Sequence, residues 1–145
     1  MKKQSRRHAE ENDDFVDVPV RVRYADTDMM GVVYHANYPV FFEIGRSEYM
    51  RLKGFTYREF EDMGYHLVVT GLEAKYYNSA TYDDLLTVKT RISELQSRGL
   101  TFHYMIYREK TLLVEGTTKH LCINNNKKTV IIPPHLLNIL KRCQN

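Results

Sequence analysis

The sequence has no tryptophan, only two cysteines and no long apolar run among its 145 residues. Cys122 and Cys143 belong to no CxxC pair and lack metal-ligand spacing, so neither a disulfide framework nor a zinc site is supported and both read as free thiols. No stretch approaches the roughly 20 apolar residues that cross a bilayer, and no apolar segment of the signal-peptide kind follows the basic N-terminus. A cytoplasmic protein without an integral membrane segment is the expectation. Charge of one sign is scarce as well, the net value being +3, and part of the excess is local: Lys2, Lys3, Arg6 and Arg7 precede Glu10, Glu11, Asp13 and Asp14. With no nucleic-acid-binding module beside it, that block reads as a solvated, flexible charged tail over residues 1–17 rather than a nucleic-acid arm. There is no internal repeat or low-complexity linker, and residues 18–145 are expected to form a single domain.

Within that domain the apolar period changes once. Tyr38, Phe41, Phe42, Gly45, Tyr49 and Leu52 recur at helical spacing, with Glu43, Arg46, Glu48 and Arg51 on a polar face. Pro39 is tolerable only in the first turn and Gly54 is placed to stop the helix, which predicts one long helix over residues 37–53. Thr56 and Gly64 bracket a short helix. Beyond Gly64 the period is two, in runs at about 65–78, 85–95, 100–109 and 111–124, and Pro133-Pro134 opens a final short helix. With a basic strand at Val20-Arg21-Val22-Arg23-Tyr24, the order is strand, helix, four strands. A helix of about 16 residues spans roughly 24 Å and a strand of about 8 roughly 27 Å, so one helix can lie along an antiparallel sheet. His66, His103 and His120 fall in the strands without ligand spacing and call for no metal.

Between the first strand and the long helix lies YADTDMMGVVYHAN, residues 24–37. It sets a carboxylate, a glycine turn and a histidine immediately ahead of a helix start, an ordering that suits an active site. Each residue has a structural reading too: Asp26 and Asp28 as Asx-turn or cap residues, His35 as a hydrogen-bonded helix-start residue, Asn37 as a cap.

The string Asp26-Thr27-Asp28, Gly31-Val32-Val33-Tyr34-His35-x-Asn37-Tyr38, Phe42-Glu43, Arg46-Ser47-Glu48 resembles the signature of hotdog-fold acyl-CoA thioesterases of the 4-hydroxybenzoyl-CoA thioesterase family. Weaker agreement follows at Glu73-x-x-Tyr76-Tyr77-x-x-Ala80, Tyr82-Asp83-Asp84-Leu85-Leu86 and Ile132-Pro133. Among these enzymes the chain is most similar to the bacterial subgroup accompanying the Tol-Pal envelope system. The resemblance implies an α+β hotdog fold, a five-stranded antiparallel sheet wrapped around one central helix, and homodimers joined edge to edge that often pair into tetramers. It implies hydrolysis of acyl-CoA to free CoA and a carboxylic acid, with no metal or redox cofactor, at a site on the dimer interface.

The resemblance carries the catalytic role to Asp28, and with it His35 as a group that orients the thioester or the leaving thiolate. Thioester hydrolysis needs a carboxylate nucleophile, giving a mixed anhydride, or a general base acting on water; the sequence leaves both routes open. The amide of His35 or its neighbour, at the positive end of the helix, suits the developing oxyanion. Gly31 would let the loop fold back toward the helix start, and Tyr34 and Asn37 could line the same pocket. The CoA phosphates need basic partners, for which Arg91, Arg98, Lys89 and Lys75 are candidates from either subunit, each equally readable as part of a solvated sheet face. Tyr38, Phe42 and Val69 would flank the acyl end, and each also reads as ordinary core rather than as a selectivity determinant. Two other functions compete: a non-catalytic binding module for acyl thioesters or acyl carrier protein, and a hotdog dehydratase, whose histidine-phenylalanine-proline-glycine string this sequence lacks.

Overall fold

The strands and helices follow from where the apolar residues can be hidden. The structure, a computed structural model, describes residues 15–143; residues 1–14, most of the expected tail, and the Cys143 side chain lie outside the described residues. The elements are β1 (Val16–Arg21), α1 (Tyr38–Leu52), α2 (Tyr57–Asp62), β2 (Tyr65–Tyr76), β3 (Leu85–Leu95), β4 (Gly99–Arg108), β5 (Thr111–Asn124) and α3 (Pro134–Cys143). All strands join one antiparallel five-stranded sheet in the order β1-β3-β4-β5-β2. One long helix on such a sheet is the hotdog arrangement that the motif implies.

Helix α1 buries Tyr38, Phe41, Phe42, Gly45, Tyr49 and Met50 and packs on β3, β1 and β4. The sheet answers with its own alternation: in β3, Leu86, Val88, Thr90 and Ile92 are buried while Thr87, Lys89 and Arg91 are only partly so. Pro39 sits in the first turn and Gly54 follows the helix at a φ of +116°, where a side chain would be strained. Thr56 Oγ1 accepts from the Glu59 amide at 3.2 Å and so caps α2. The first strand starts earlier than residue 20: Val16 and Asp17, read in sequence as tail, pair with Thr90 and Lys89. It also ends earlier, because Asp26 draws Tyr24–Asp26 into a 3-10 turn by accepting from the Arg23 amide at 2.8 Å.

A polar chain crosses the interface between helix and sheet. Arg46 of α1 donates to the Tyr104 hydroxyl at 3.5 Å, which lies 2.6 Å from Thr118 Oγ1, itself 2.8 Å from His120 Nε2. His120 Nδ1 faces the Leu67 carbonyl at 3.4 Å. A carbonyl can only accept, so Nδ1 carries the proton, and in the neutral ring that burial favours Nε2 accepts from Thr118. Burial, assisted by the Arg46 charge, lowers its pKa from 6.5 to about 4. The unfolded chain therefore takes up a proton between those values that the folded chain refuses. Stability contributed here is complete above pH 6.5 and is lost as pH falls towards 4, a change on the order of 3 kcal/mol. Unfolding measured between pH 7 and 4 should show this slope, and His120→Gln should flatten it; an equal slope in both proteins would refute the assignment.

Candidate active site

The residues after β1 fold into a small hairpin that docks against the start of α1. Asp26, 3% exposed, accepts from the Arg23 amide and from Arg23 Nη2, both at 2.8 Å. The Arg23 guanidinium's hydrogen bonds hold its carboxyl below the usual carboxylate range. The Asp26 carbonyl accepts from the Tyr34 amide and from Asn37 Nδ2, each at 2.9 Å. Asp26 thus ties strand end, hairpin and helix start together.

Asp28 sits across the hairpin from Val32. Its amide donates to the Val32 carbonyl at 2.9 Å, and its carbonyl accepts from the Gly31 amide at 3.0 Å. Gly31 has a φ of +79°, the left-handed conformation that a residue with a side chain resists. Asp28 Oδ1 accepts from the Met30 amide at 2.8 Å, the Asx-turn geometry anticipated for short Asp-Thr-Asp strings. The second carboxylate oxygen makes no hydrogen bond among the described residues. The turn therefore fixes the side chain while leaving one oxygen for other work.

The other side of the site is the helix start. A 3-10 turn, His35–Asn37, leads into α1. Tyr38 donates its amide to the His35 carbonyl and Asn37 to that of Tyr34. The amides of His35 and Ala36 find no acceptor among the described residues, as expected of a helix N-terminus. The turn is steadied by the Tyr76 hydroxyl, donating to the His35 carbonyl at 3.1 Å. The exposed His35 ring lies 4.6 Å from the Tyr34 ring and 6.2 Å from that of Tyr76.

Asp28, Met30, Val32, Val33, His35 and Tyr38 line one side of a pocket of about 290 Å³, and Tyr76, Tyr77, Asn78 and Ser79 close the other. That second wall is braced by Arg108, whose Nη1 donates to the Ser79 carbonyl at 2.9 Å and to Asp84 Oδ2 at 3.2 Å. The sequence pointed to the first wall; for the second its signal was the weak Tyr76-Tyr77-x-x-Ala80 agreement. Asp28 and His35 come together here. Gly31 shapes the hairpin, Tyr34 packs on His35, and Asn37 spends its side chain on Asp26 rather than on capping.

The basic candidates lie elsewhere within one chain. Arg91 stacks over Phe15 with its guanidinium 5.1 Å from the ring and donates to His103 Nδ1, and Lys89 pairs with Asp17 at 3.0 Å. Lys75 lines a separate recess of about 190 Å³ with Glu73, His103 and Glu115. Arg98 lies in the connection after Leu95, whereas the pocket is near the Leu85 end of β3. Of the presumed acyl neighbours, Tyr38 lines the pocket, Phe42 is buried against Tyr104, and Val69 is exposed on β2. Among the described residues no helix is long and apolar enough to cross a membrane.

Comparison with known proteins gives consistent results. Residues 22–140 match the model of the thioesterase-like superfamily. An acyl-CoA thioesterase, YbgC, of Haemophilus influenzae is 41% identical over 117 residues, 79% of this chain and 86% of that one. The acyl-CoA thioester hydrolase YbgC of Escherichia coli is 37% identical over 107 residues, covering 73% and 80%. The crystal structure of a DHNA-CoA thioesterase from Staphylococcus aureus superposes with a TM-score of 0.86 at 31% identity, covering 90% of this chain and 91% of that one.

Proposed function

Since the chain belongs to the thioesterase-like superfamily, we propose that its pocket hydrolyses acyl-CoA thioesters to free CoA and a carboxylic acid. The observation that carries this reading is the pairing, at one pocket, of Asp28, with one carboxylate oxygen that has no hydrogen-bond partner among the described residues, and His35 at the helix start, where the amides of His35 and its neighbour Ala36 find no acceptor among them. A thioester carbonyl between them meets a negative group at carbon and donors at oxygen. By one route Asp28 attacks the carbonyl carbon, the CoA thiolate leaves, and water hydrolyses the resulting anhydride. By the other, Asp28 takes a proton from water, the hydroxide adds, and the thiolate departs and is protonated. In either, the amides stabilise the oxyanion, and His35, at the exposed side, orients the thioester or the leaving thiolate.

The active form in this reading is a homo-oligomer. β2 is an edge of the sheet and exposes Val68, Val69, Leu72 and Tyr76, an apolar edge of the kind proteins cover. Pairing through β2 gives a dimer, which can pair again into a tetramer, and brings a second copy beside Tyr76. Lys75 lies on β2 itself, and Lys89, Arg91 and Arg98, set farther from that edge, complete the candidates for the CoA phosphates from either subunit. Sedimentation should give at least twice the 17.2 kDa chain mass. A monomer with full activity would defeat this part of the proposal. The enzyme is placed in the cytoplasm and in the Tol-Pal-associated subgroup on the strength of its composition and the motif resemblance.

The test is thiol release from short, long and aromatic acyl-CoA substrates. Turnover of at least one class is expected. Binding without release would favour an acyl-thioester or acyl-carrier-protein binding module of the same fold.

A further inference from the structure

Tyr38 is the first residue of α1 and is 3% exposed, yet it lines the same pocket as Asp28 and His35. Its ring is held by Phe41 and Tyr76, each with its centroid 5.7 Å away. Its hydroxyl has no hydrogen-bond partner among the described residues, and the oxygen keeps some exposure although the residue is buried, so its partner can come from the pocket. The neighbours that act on it electrostatically are Tyr76, Arg108 and Asp84. All are engaged elsewhere: Tyr76 with the His35 carbonyl, Arg108 with Ser79 and Asp84, and Asp84 also with the Thr81 amide. Burial keeps the hydroxyl protonated, with its pKa pushed up to about 12, so it is available as a donor at neutral pH.

Depth in the pocket distinguishes which oxygen it could meet. His35 is exposed, Asp28 half-buried and Tyr38 buried. A thioester carbon held by Asp28 directs its acyl group inward, past the helix-start amides that serve the carbonyl.

We propose that Tyr38 is a specificity residue that donates a hydrogen bond to a hydroxyl or oxo oxygen carried by the acyl group, favouring such thioesters over their deoxy counterparts. The proposal rests on the thioesterase reading of this pocket. A site that hydrogen-bonds a substrate group discriminates strongly against the analogue lacking it.

The experiment compares kcat/KM of wild type and Tyr38→Phe on two matched pairs: 3-hydroxybutyryl-CoA with butyryl-CoA, and 4-hydroxybenzoyl-CoA with benzoyl-CoA. The ratio within a pair cancels any general loss through misfolding. Wild type should favour the oxygenated member of one pair, and the pair concerned distinguishes an aliphatic from an aromatic acyl group. In Tyr38→Phe that ratio should fall by about tenfold or more, the worth of one hydrogen bond to a buried partner. An unchanged ratio in both pairs overturns the proposal. Should wild type release no thiol from any of the four, the thioesterase reading fails separately, and the same ratios of dissociation constants decide the role of Tyr38.

Discussion

Gly116→Ala should destabilise the protein by about 3 kcal/mol, the upper end of the usual cost of overpacking, whereas Gly71→Ala should cost less than about 1 kcal/mol. Both glycines lie inside paired strands, so the contrast isolates packing. A Cβ on Gly116 would come within 2.5 Å of Phe42 Cζ and 2.6 Å of the Glu73 carbonyl oxygen. Neither can give way easily: Phe42 is fully buried and stacked on Tyr104 at 4.3 Å, and Glu73 is held in the β2–β5 ladder. A Cβ on Gly71 meets nothing nearer than Lys119 carbons at 3.7 Å, ordinary contact. Denaturant unfolding of the two variants checks this. Adding Phe42→Leu to Gly116→Ala should recover part of the loss, since the ring accounts for the nearest contact. Equal stabilities for Gly116→Ala and wild type would mean that α1 is not held to the sheet at this point.

The sequence made the elements legible because their signals were strong and separate. Pro39, Gly54, Thr56 and Gly64 mark helix limits by backbone chemistry that tertiary contacts did not override. The alternation in β3 survives as alternate burial. The start of β1 was harder, because Val16 and Asp17 adjoin a block of charges and their place in the sheet depends on pairing with β3, a contact far away in sequence. The turn at Tyr24–Asp26 was hidden for a related reason: alternation continues through it, and only the closure of Asp26 on Arg23 breaks the strand.

At the candidate site, the half built from consecutive residues could be read from the chain. Asp28, Gly31 and His35 belong to one hairpin and turn. The opposite wall, Tyr76 to Ser79, is supplied by the end of β2 and held by Arg108 from β4. Its role follows from sheet order, which a single sequence expresses poorly. The surroundings of the basic candidates were not legible either, because charge does not say where a strand residue points. Arg91 and Lys89 have partners on the sheet, His103 and Asp17. Asp26 and Asn37 had plausible local readings; neither suggested that they would meet across the base of the hairpin.

Both proposed routes depend on the Asp28 carboxylate. Asparagine matches its shape and can still accept from the Met30 amide, which is the one hydrogen bond made by this side chain among the described residues. The hairpin should therefore persist, with an unfolding midpoint close to that of wild type. The amide can neither form the anhydride nor take a proton from water, so both chemical routes lose the same group. The most direct measurement is thiol release by wild type and Asp28→Asn, at matched folding, on the acyl-CoA that wild type hydrolyses best. We predict a fall in kcat on the order of 10³-fold with little change in KM, the signature of a group needed in the transition state rather than for binding. A variant that retains kcat within tenfold of wild type would contradict the account and move the chemistry away from this hairpin.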